Sequence, residues 1–297
     1  MTAHSNLRGI LAMLGATGTF VANDSCMKLA MADSPPMQVL LMRGIAACLW
    51  CLPILLYMGH GRDLHRIFNP WILLRCFSEV VAILCFIFAL QHMPIGDVTA
   101  LVQITPFLVL IGVRIIWGDR IGPVRMFLIA LGITGALLVA QPGSSAASPF
   151  AIFGFATAVG AAGRDIISRM VPGNVPALVV TFAVLLIVML SAAAGSFLFE
   201  QQVVPTQRHV VLMAIAGFFL MCGHLLIYLA FRYAPARVVT PFNYTFTIWA
   251  VISGVVLFGD VPNALAVAGM ALIAVAGLAV ILYESRTRTG DQGVTGA

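Results

Sequence analysis

Residues 89–103 read ALQHMPIGDVTALVQ, and residues 230–244 read AFRYAPARVVTPFNY. The two stretches stand 141 positions apart. Extended without gaps to 89–119 and 230–260, they share seven of thirty-one residues: Ala89, Pro94, Val98, Thr99, Ile111, Gly118 and Asp119 recur at 230, 235, 239, 240, 252, 259 and 260. A composition this biased gives about two or three matches by chance. The same offset carries GTFVANDSCMKLAM (18–31) onto VGAAGRDIISRMVP (159–172), which sets Asp24 on Asp165 and Lys28 on Arg169. Two distant windows that share one offset indicate an internal duplication.

Composition decides the solvent of both copies. The chain is 61% hydrophobic and 9% charged, with a mean hydropathy of +1.03. Soluble domains carry about 25% charged residues, so much of this surface must face lipid. A spanning helix needs about 20 mostly apolar residues. Apolar runs between breaks predict ten: 8–32, 36–58, 70–91, 95–117, 123–141, 149–170, 174–199, 209–232, 236–258 and 262–284. The runs are too long, and alternate too little, for β-barrel strands. The expected fold is thus an all-α integral membrane protein of ten transmembrane helices, with an uncleaved first helix. It consists of a first five-helix unit at 1–145, a second at 146–285 and a cytoplasmic tail at 286–297. Five spans per unit force the second copy upside down in the bilayer, an inverted repeat of the kind used by alternating-access carriers.

The net charge of +5 reads as topology, so no nucleic-acid partner is expected. Eleven arginines (8, 62, 66, 114, 120, 125, 169, 232, 237, 286 and 288) fall on one side of the ten-span scheme and only Arg208 lies in a loop on the other. Basic residues favour the cytoplasmic side. Both termini are therefore expected in the cytoplasm and the protein in the inner (plasma) membrane, surrounded by lipid and working as a monomer. The six cysteines (26, 48, 51, 76, 85 and 222) lie inside apolar runs and read as small hydrophobes, and no metal site or cofactor is expected. No phosphate loop, HExxH, GxSxG or dinucleotide glycine pattern occurs, which argues against an enzyme or an ATP-driven pump.

Several polar residues interrupt the apolar runs. Glu79 sits mid-span, where an acid must find water or a partner. Arg75 is one turn away on the same helix face. Glu79 reads either as a cavity acid that titrates or binds an amine, or as half of an ion pair with Arg75 or Arg43. His224 and Tyr228 share a face four residues apart, and His224 is either a titrating cavity group or a satisfied structural one. Thr99, Gln103 and Pro106 in one unit match a stripe of Thr240, Tyr244 and Thr247 beside Asn243 in the other. Trp249, Phe242 and Tyr244 offer either an aromatic wall or helix packing. Asp24 and Lys28 near one face, with Asp165 and Arg169 near the other, read as symmetric gates; snorkelling of Lys28 and Arg169 to headgroups is the plainer alternative.

At 89–120 and 230–260 the chain resembles the drug/metabolite transporter superfamily, specifically its EamA-type ten-helix members. The resemblance rests on a helix end before a short break, small residues, a mid-helix proline and a final Gly-acid. Pro106 fits in the first unit; the second has Thr247 at that place and Pro241 instead, and both carry Gly–Asp where many members have Gly–Glu. YddG-type amino-acid exporters are the best-described relatives of this architecture. The resemblance implies a central cavity walled by helices 1–4 and 6–9, with helices 5 and 10 outside. It also implies a secondary transporter that exports small amphiphilic solutes, neutral or aromatic amino acids first among them. Other metabolites or drugs, a channel and a membrane-embedded enzyme are the alternatives.

Overall fold

A computed structural model describes residues 3–118, 122–141, 148–168, 170–234 and 236–294. It is all helical among the described residues. The helices are α1 (Ala3–Ala30), α2 (Pro36–Tyr57), α3 (Pro70–His92), α4 (Ile95–Val102), α5 (Thr105–Trp117), α6 (Pro123–Ala140), α7 (Ala151–Ser168), α8 (Ala177–Phe199), α9 (Gln207–Tyr233), α10 (Ala236–Val239), α11 (Thr245–Ser253) and α12 (Ala264–Val294). Their starts follow from sequence. Proline opens α2, α3 and α6, where its missing N–H costs nothing. The Asn69 side chain caps Trp71 N, and Thr206 and His209 form a reciprocal cap at the start of α9.

By length and composition six helices can cross a membrane: Pro36–Tyr57, Pro70–His92, Ile95–Ile116, Ala151–Ser168, Ala177–Phe199 and Gln207–Ile227. Shorter apolar helices cover Met126–Ala140, Phe242–Phe258 and Ala264–Val280. Large apolar side chains such as Tyr57, Phe77, Phe127, Phe197 and Val256 are exposed along them, far more than a water-facing surface tolerates. The chain is a multi-pass membrane protein.

Two of the expected spans are interrupted. The 95–117 run breaks at Gln103–Ile104, between α4 and α5. Pro106 lacks an N–H for the carbonyl of Val102 and stands in the first turn of α5, where that loss is tolerated. The 236–258 run becomes α10, a 3-10 turn at Thr240–Tyr244 around Pro241, α11 and a π-helical turn at Gly254–Phe258. A 3-10 segment, His60–Phe68, also joins α2 to α3 where only a loop is expected.

The 141 offset holds in three dimensions. Met93 and Ala234 are both extended C-caps, and the helix breaks align. Gly118 (φ 73°) and Gly259 (φ 70°) both end their helices in the left-handed region that favours glycine. Helix pairing repeats too. The contacts α1–α9, α1–α11 and α2–α9 have the mates α7–α3, α7–α5 and α8–α3, while α2–α8 and α6–α12 map onto themselves. Even the register is kept. A Cβ on Gly9 would press on Ala234, and the mates of these two positions are 150 and 93; Phe150 stacks on His92, one residue away. Small residues let these backbones approach: Gly160 abuts Ala82, and Gly135 and Gly269 abut each other.

Candidate functional site

The charged residues of the bundle form three groups. The first lies between α3 and α7. Arg164 Nη1 donates to both oxygens of Glu79, at 3.3 and 3.1 Å, and Arg164 Nε donates to Asp165 Oδ1 at 2.9 Å. Glu79 therefore pairs with neither of its expected partners. Arg75 turns instead to α7, where its Nε donates to Ser168 Oγ at 2.9 Å, and Ser168 Oγ donates to the Arg164 carbonyl. Buried Nη1 of Arg75 has no hydrogen-bond partner among the described residues. Exposure rises along this group from Glu79 (20%) through Arg164 (29%) to Asp165 (44%).

The second group adjoins the first. Asn23, Asp24 and Ser25 are buried on α1, and Arg43 is buried on α2. Asn23 Nδ2 donates to Asp24 Oδ1 at 2.8 Å. Arg43 is close enough to interact with the charges of Asp24 and Glu79, yet it makes no hydrogen bond among the described residues and its Nε is fully enclosed. His224 on α9 feels Glu79 and all three arginines, and packs its ring edge-on against Phe20 at 5.4 Å.

The broken helices cross beside these groups. Gln103 Nε2 donates to the Asn243 carbonyl at 3.2 Å. The Thr99 hydroxyl is used within its own helix, on the Ile95 carbonyl. Tyr244 is buried against Gly277, its hydroxyl unpartnered. Thr17 meets Thr245 at 2.9 Å and Ser25 meets Ser253 at 2.6 Å, so α1 and α11 run in the same direction. Trp249 lies apart from the other expected cavity residues. It lines an apolar cleft of about 380 Å³ that opens between α1 and α11, together with Gly18, Ala22 and Val256. The side chains of Tyr228 and Thr240, and Arg169 as a whole, lie outside the described residues.

The third group ties the two units together at the face bearing the α1–α2 turn. Lys28 Nζ donates to Asp260 Oδ2 at 3.2 Å and to the Met93 carbonyl at 2.8 Å, and lies over the Phe258 ring. Lys28 is thus separated from Asp24, and its carboxylate partner comes from the opposite unit. Asp97 is close to both Lys28 and Asp260. Glu200 accepts from the backbone N–H groups of Met37 and Gln38 at the start of α2, a favourable place for an acid. Gln38 pairs through both side-chain ends with the backbone of Val203. Asp33 accepts from His209 Nε2 at 2.9 Å and from Arg208 at 3.2 Å. The His209 hydrogen bond, with the nearby positive charge, holds the Asp33 carboxyl below its usual range. Gln141 and Asn263 close the same face between α6 and α12.

Of the expected site residues, the structure brings together Glu79, Arg75, Asp165, Asp24 and His224. Arg164, Asn23 and Asp260 complete these groups and are the ones missed; Arg43, expected only as a partner of Glu79, lies near both Glu79 and Asp24. The offset contained a signal for two of them: Arg164 is the mate of Asn23, and Asp260 the mate of the shared Asp119.

Related proteins agree with this picture. The pseudopaline exporter CntI of Pseudomonas aeruginosa is 28% identical over 284 residues, covering 95% of this chain and 97% of that protein. A riboflavin transporter of Rhizobium johnstonii is 30% identical over 243 residues, covering 81% and 79%. A riboflavin transporter of Vibrio cholerae is 24% identical over 295 residues, covering 98% of both. A solved crystal structure with 16% identity superposes with a TM-score of 0.62 over 97% of this chain and 99% of that one, which supports the fold alone. The EamA-like transporter family model matches twice, at 7–141 and at 148–283. A duplicated helical unit, broken helices in matching places and two consecutive family matches lead to one conclusion: the chain belongs to the EamA-like transporter family.

Proposed function

We propose that this chain is a secondary carrier that exports small amphiphilic solutes, neutral or aromatic amino acids first among them, across the inner membrane by alternating access. In this reading ten spans form two inverted five-helix units, both termini are cytoplasmic, and one monomer transports. The observation that carries it is the unequal closure of the two faces. At the α1–α2 face, Lys28–Asp260, Asp33–His209, Glu200–Met37 and Gln141–Asn263 all join one unit to the other. Away from that face Glu79–Arg164 and Arg75–Ser168 also join the units, but these α3–α7 charges are partly accessible, increasingly so from Glu79 to Asp165, while Asp24 and Arg43 are buried. Charges are costly inside a membrane unless they meet water or partners, so a water-filled entrance from the cytoplasm accounts for this gradient. Opening requires the cross-unit ties to break and the opposite end to close.

A mixed inventory of acids, arginines, amides and hydroxyls suits a solute with both polar signs better than a nucleotide or a lipophilic cation. The names of the relatives favour a second reading, a larger metabolite such as riboflavin. Purified protein in liposomes separates them. Counterflow of labelled amino acids, with riboflavin in parallel and with or without a pH gradient, is expected for amino acids; saturable counterflow of riboflavin alone supports the second reading. Flux without saturation or counterflow excludes a carrier.

A further inference from the structure

Among the charged residues deep in the bundle, Arg43 stands apart. Glu79, Arg164 and Asp165 satisfy one another, and Lys28 has Asp260. Arg43 is 5% exposed and makes no hydrogen bond or ion pair among the described residues. Its Nε is fully enclosed; its two terminal nitrogens, equally unbonded, reach accessible space. A buried guanidinium without hydrogen bonds is costly even with the charges of Asp24 and Glu79 nearby, and the repeat mate of Arg43 is the apolar Val184. Beside it sit acceptors with nothing to accept. Asn23 Oδ1 is buried and unpartnered, and Asp24 is bonded only through Oδ1 to the Asn23 amide.

Donors and acceptors thus face each other across α1 and α2. We infer that Arg43, Asp24 and Asn23 form a binding site for a zwitterionic ammonium–carboxylate headgroup. The guanidinium fork takes the carboxylate, which it matches in shape. The ammonium donates to the Asp24 oxygen that the Asn23 amide leaves unbonded, and Asn23 orients that carboxylate. Glu79 already pairs with Arg164 through both oxygens, so we assign it to holding Arg164 in position rather than to the amine. The site rests on the transport reading for its purpose, though not for its chemistry.

The test uses the full chain purified in detergent, with thermal unfolding as the readout. Three probes differ only in the headgroup: L-phenylalanine, phenethylamine without the carboxylate, and 3-phenylpropanoate without the ammonium. The wild type is expected to be stabilised most by phenylalanine. Arg43→Lys keeps the charge and loses the fork. It is expected to raise the Kd for phenylalanine and 3-phenylpropanoate about tenfold or more, and to leave phenethylamine unchanged. Asp24→Asn is expected to show the converse pattern. An equal response of the wild type to all three probes, or no response to any of the twenty amino acids, overturns the site. Counterflow of labelled phenylalanine in liposomes is read separately. If it is absent while the headgroup pattern holds, the transport reading fails and the site stands. If it is present and unaffected by Arg43→Lys, the site fails and the transport reading stands.

Discussion

Lys28 and Asp260 are 232 positions apart in sequence and 3.2 Å apart in the structure, and their contact joins the first helix of one repeat to the end of a broken helix in the other. Neither is more than a third exposed, so the pair is worth about 1 kcal/mol, more than a typical surface pair. Lys28→Gln and Asp260→Asn are each expected to shift the carrier about fivefold towards opening at the α1–α2 face. Exchanging the two charges is expected to restore the balance. Labelling of a cysteine at Gln103, from each side of the membrane in a cysteine-free background, measures the shift. Equal labelling in both single variants and the wild type rules out a gating role.

Glu79 and Arg164 keep 20% and 29% of their side-chain surface. Breaking the pair is expected to cost about 2 kcal/mol, less than the ~3–5 kcal/mol of a fully buried pair. Glu79→Gln is therefore expected to lower the melting temperature and to reduce transport severely. The double variant Glu79→Gln/Arg164→Gln is expected to be less destabilised than the sum of the single ones. Strict additivity in this double-mutant cycle refutes the coupling.

Gly277 leaves room for Tyr244, whose ring and hydroxyl occupy the place of a Cβ. Gly277→Ala is expected to cost about 1–3 kcal/mol by overpacking. The Tyr244 hydroxyl is buried without a partner, so Tyr244→Phe is expected to raise stability. Thermal unfolding in detergent reads both, and a neutral Gly277→Ala disproves the close approach.

Asp33 titrates below its usual range because His209 donates a hydrogen bond to it. A depressed carboxylate stabilises the folded state above its unfolded pKa, and that contribution disappears as pH falls through the folded value. The melting temperature of Asp33→Asn is thus expected to lie below that of the wild type near neutral pH and to converge with it below about pH 4. A gap that persists or widens in acid contradicts the hydrogen-bonded latch.

The repeat was legible because it is written in residues that control the backbone. Pro106 and Pro241 break helices, Gly118 and Gly259 end them, and each acts locally wherever it stands. The membrane class was legible for a similar reason, since length and polarity of a run need no partner. Side-chain pairing was not. The four-residue spacing of Arg75 and Glu79 pointed to an ion pair on one helix, yet Arg75 bonds Ser168 and Glu79 bonds Arg164. The register between α3 and α7, set by Gly160 and Gly163 against Ala82 and Ser78, decides those contacts. In the sequence Asp24 and Lys28 likewise read as one cluster. One turn apart on α1, they have different surroundings: Asp24 meets α2 and Lys28 reaches α3 and the end of α11's π-turn.

The backbone is two-fold in plan, but its charge is not. Arg43, Arg75 and Glu79 have Val184, Ala216 and Leu220 as their mates. In the proposed carrier a solute thus meets unlike walls, Arg43, Arg75 and Glu79 on one half and Arg164, Asp165 and His224 on the other, and only one orientation satisfies both. The two conformations of the carrier then present unlike sites to the two compartments, with different KM values. Microscopic reversibility limits what that inequality achieves. For a zwitterion, which has no net charge for the membrane potential to act on, Vmax/KM must be equal in the two directions unless a second gradient is coupled. Unlike walls let the half-saturation point on each side match the concentrations found there; the direction of net flow is decided by the gradients.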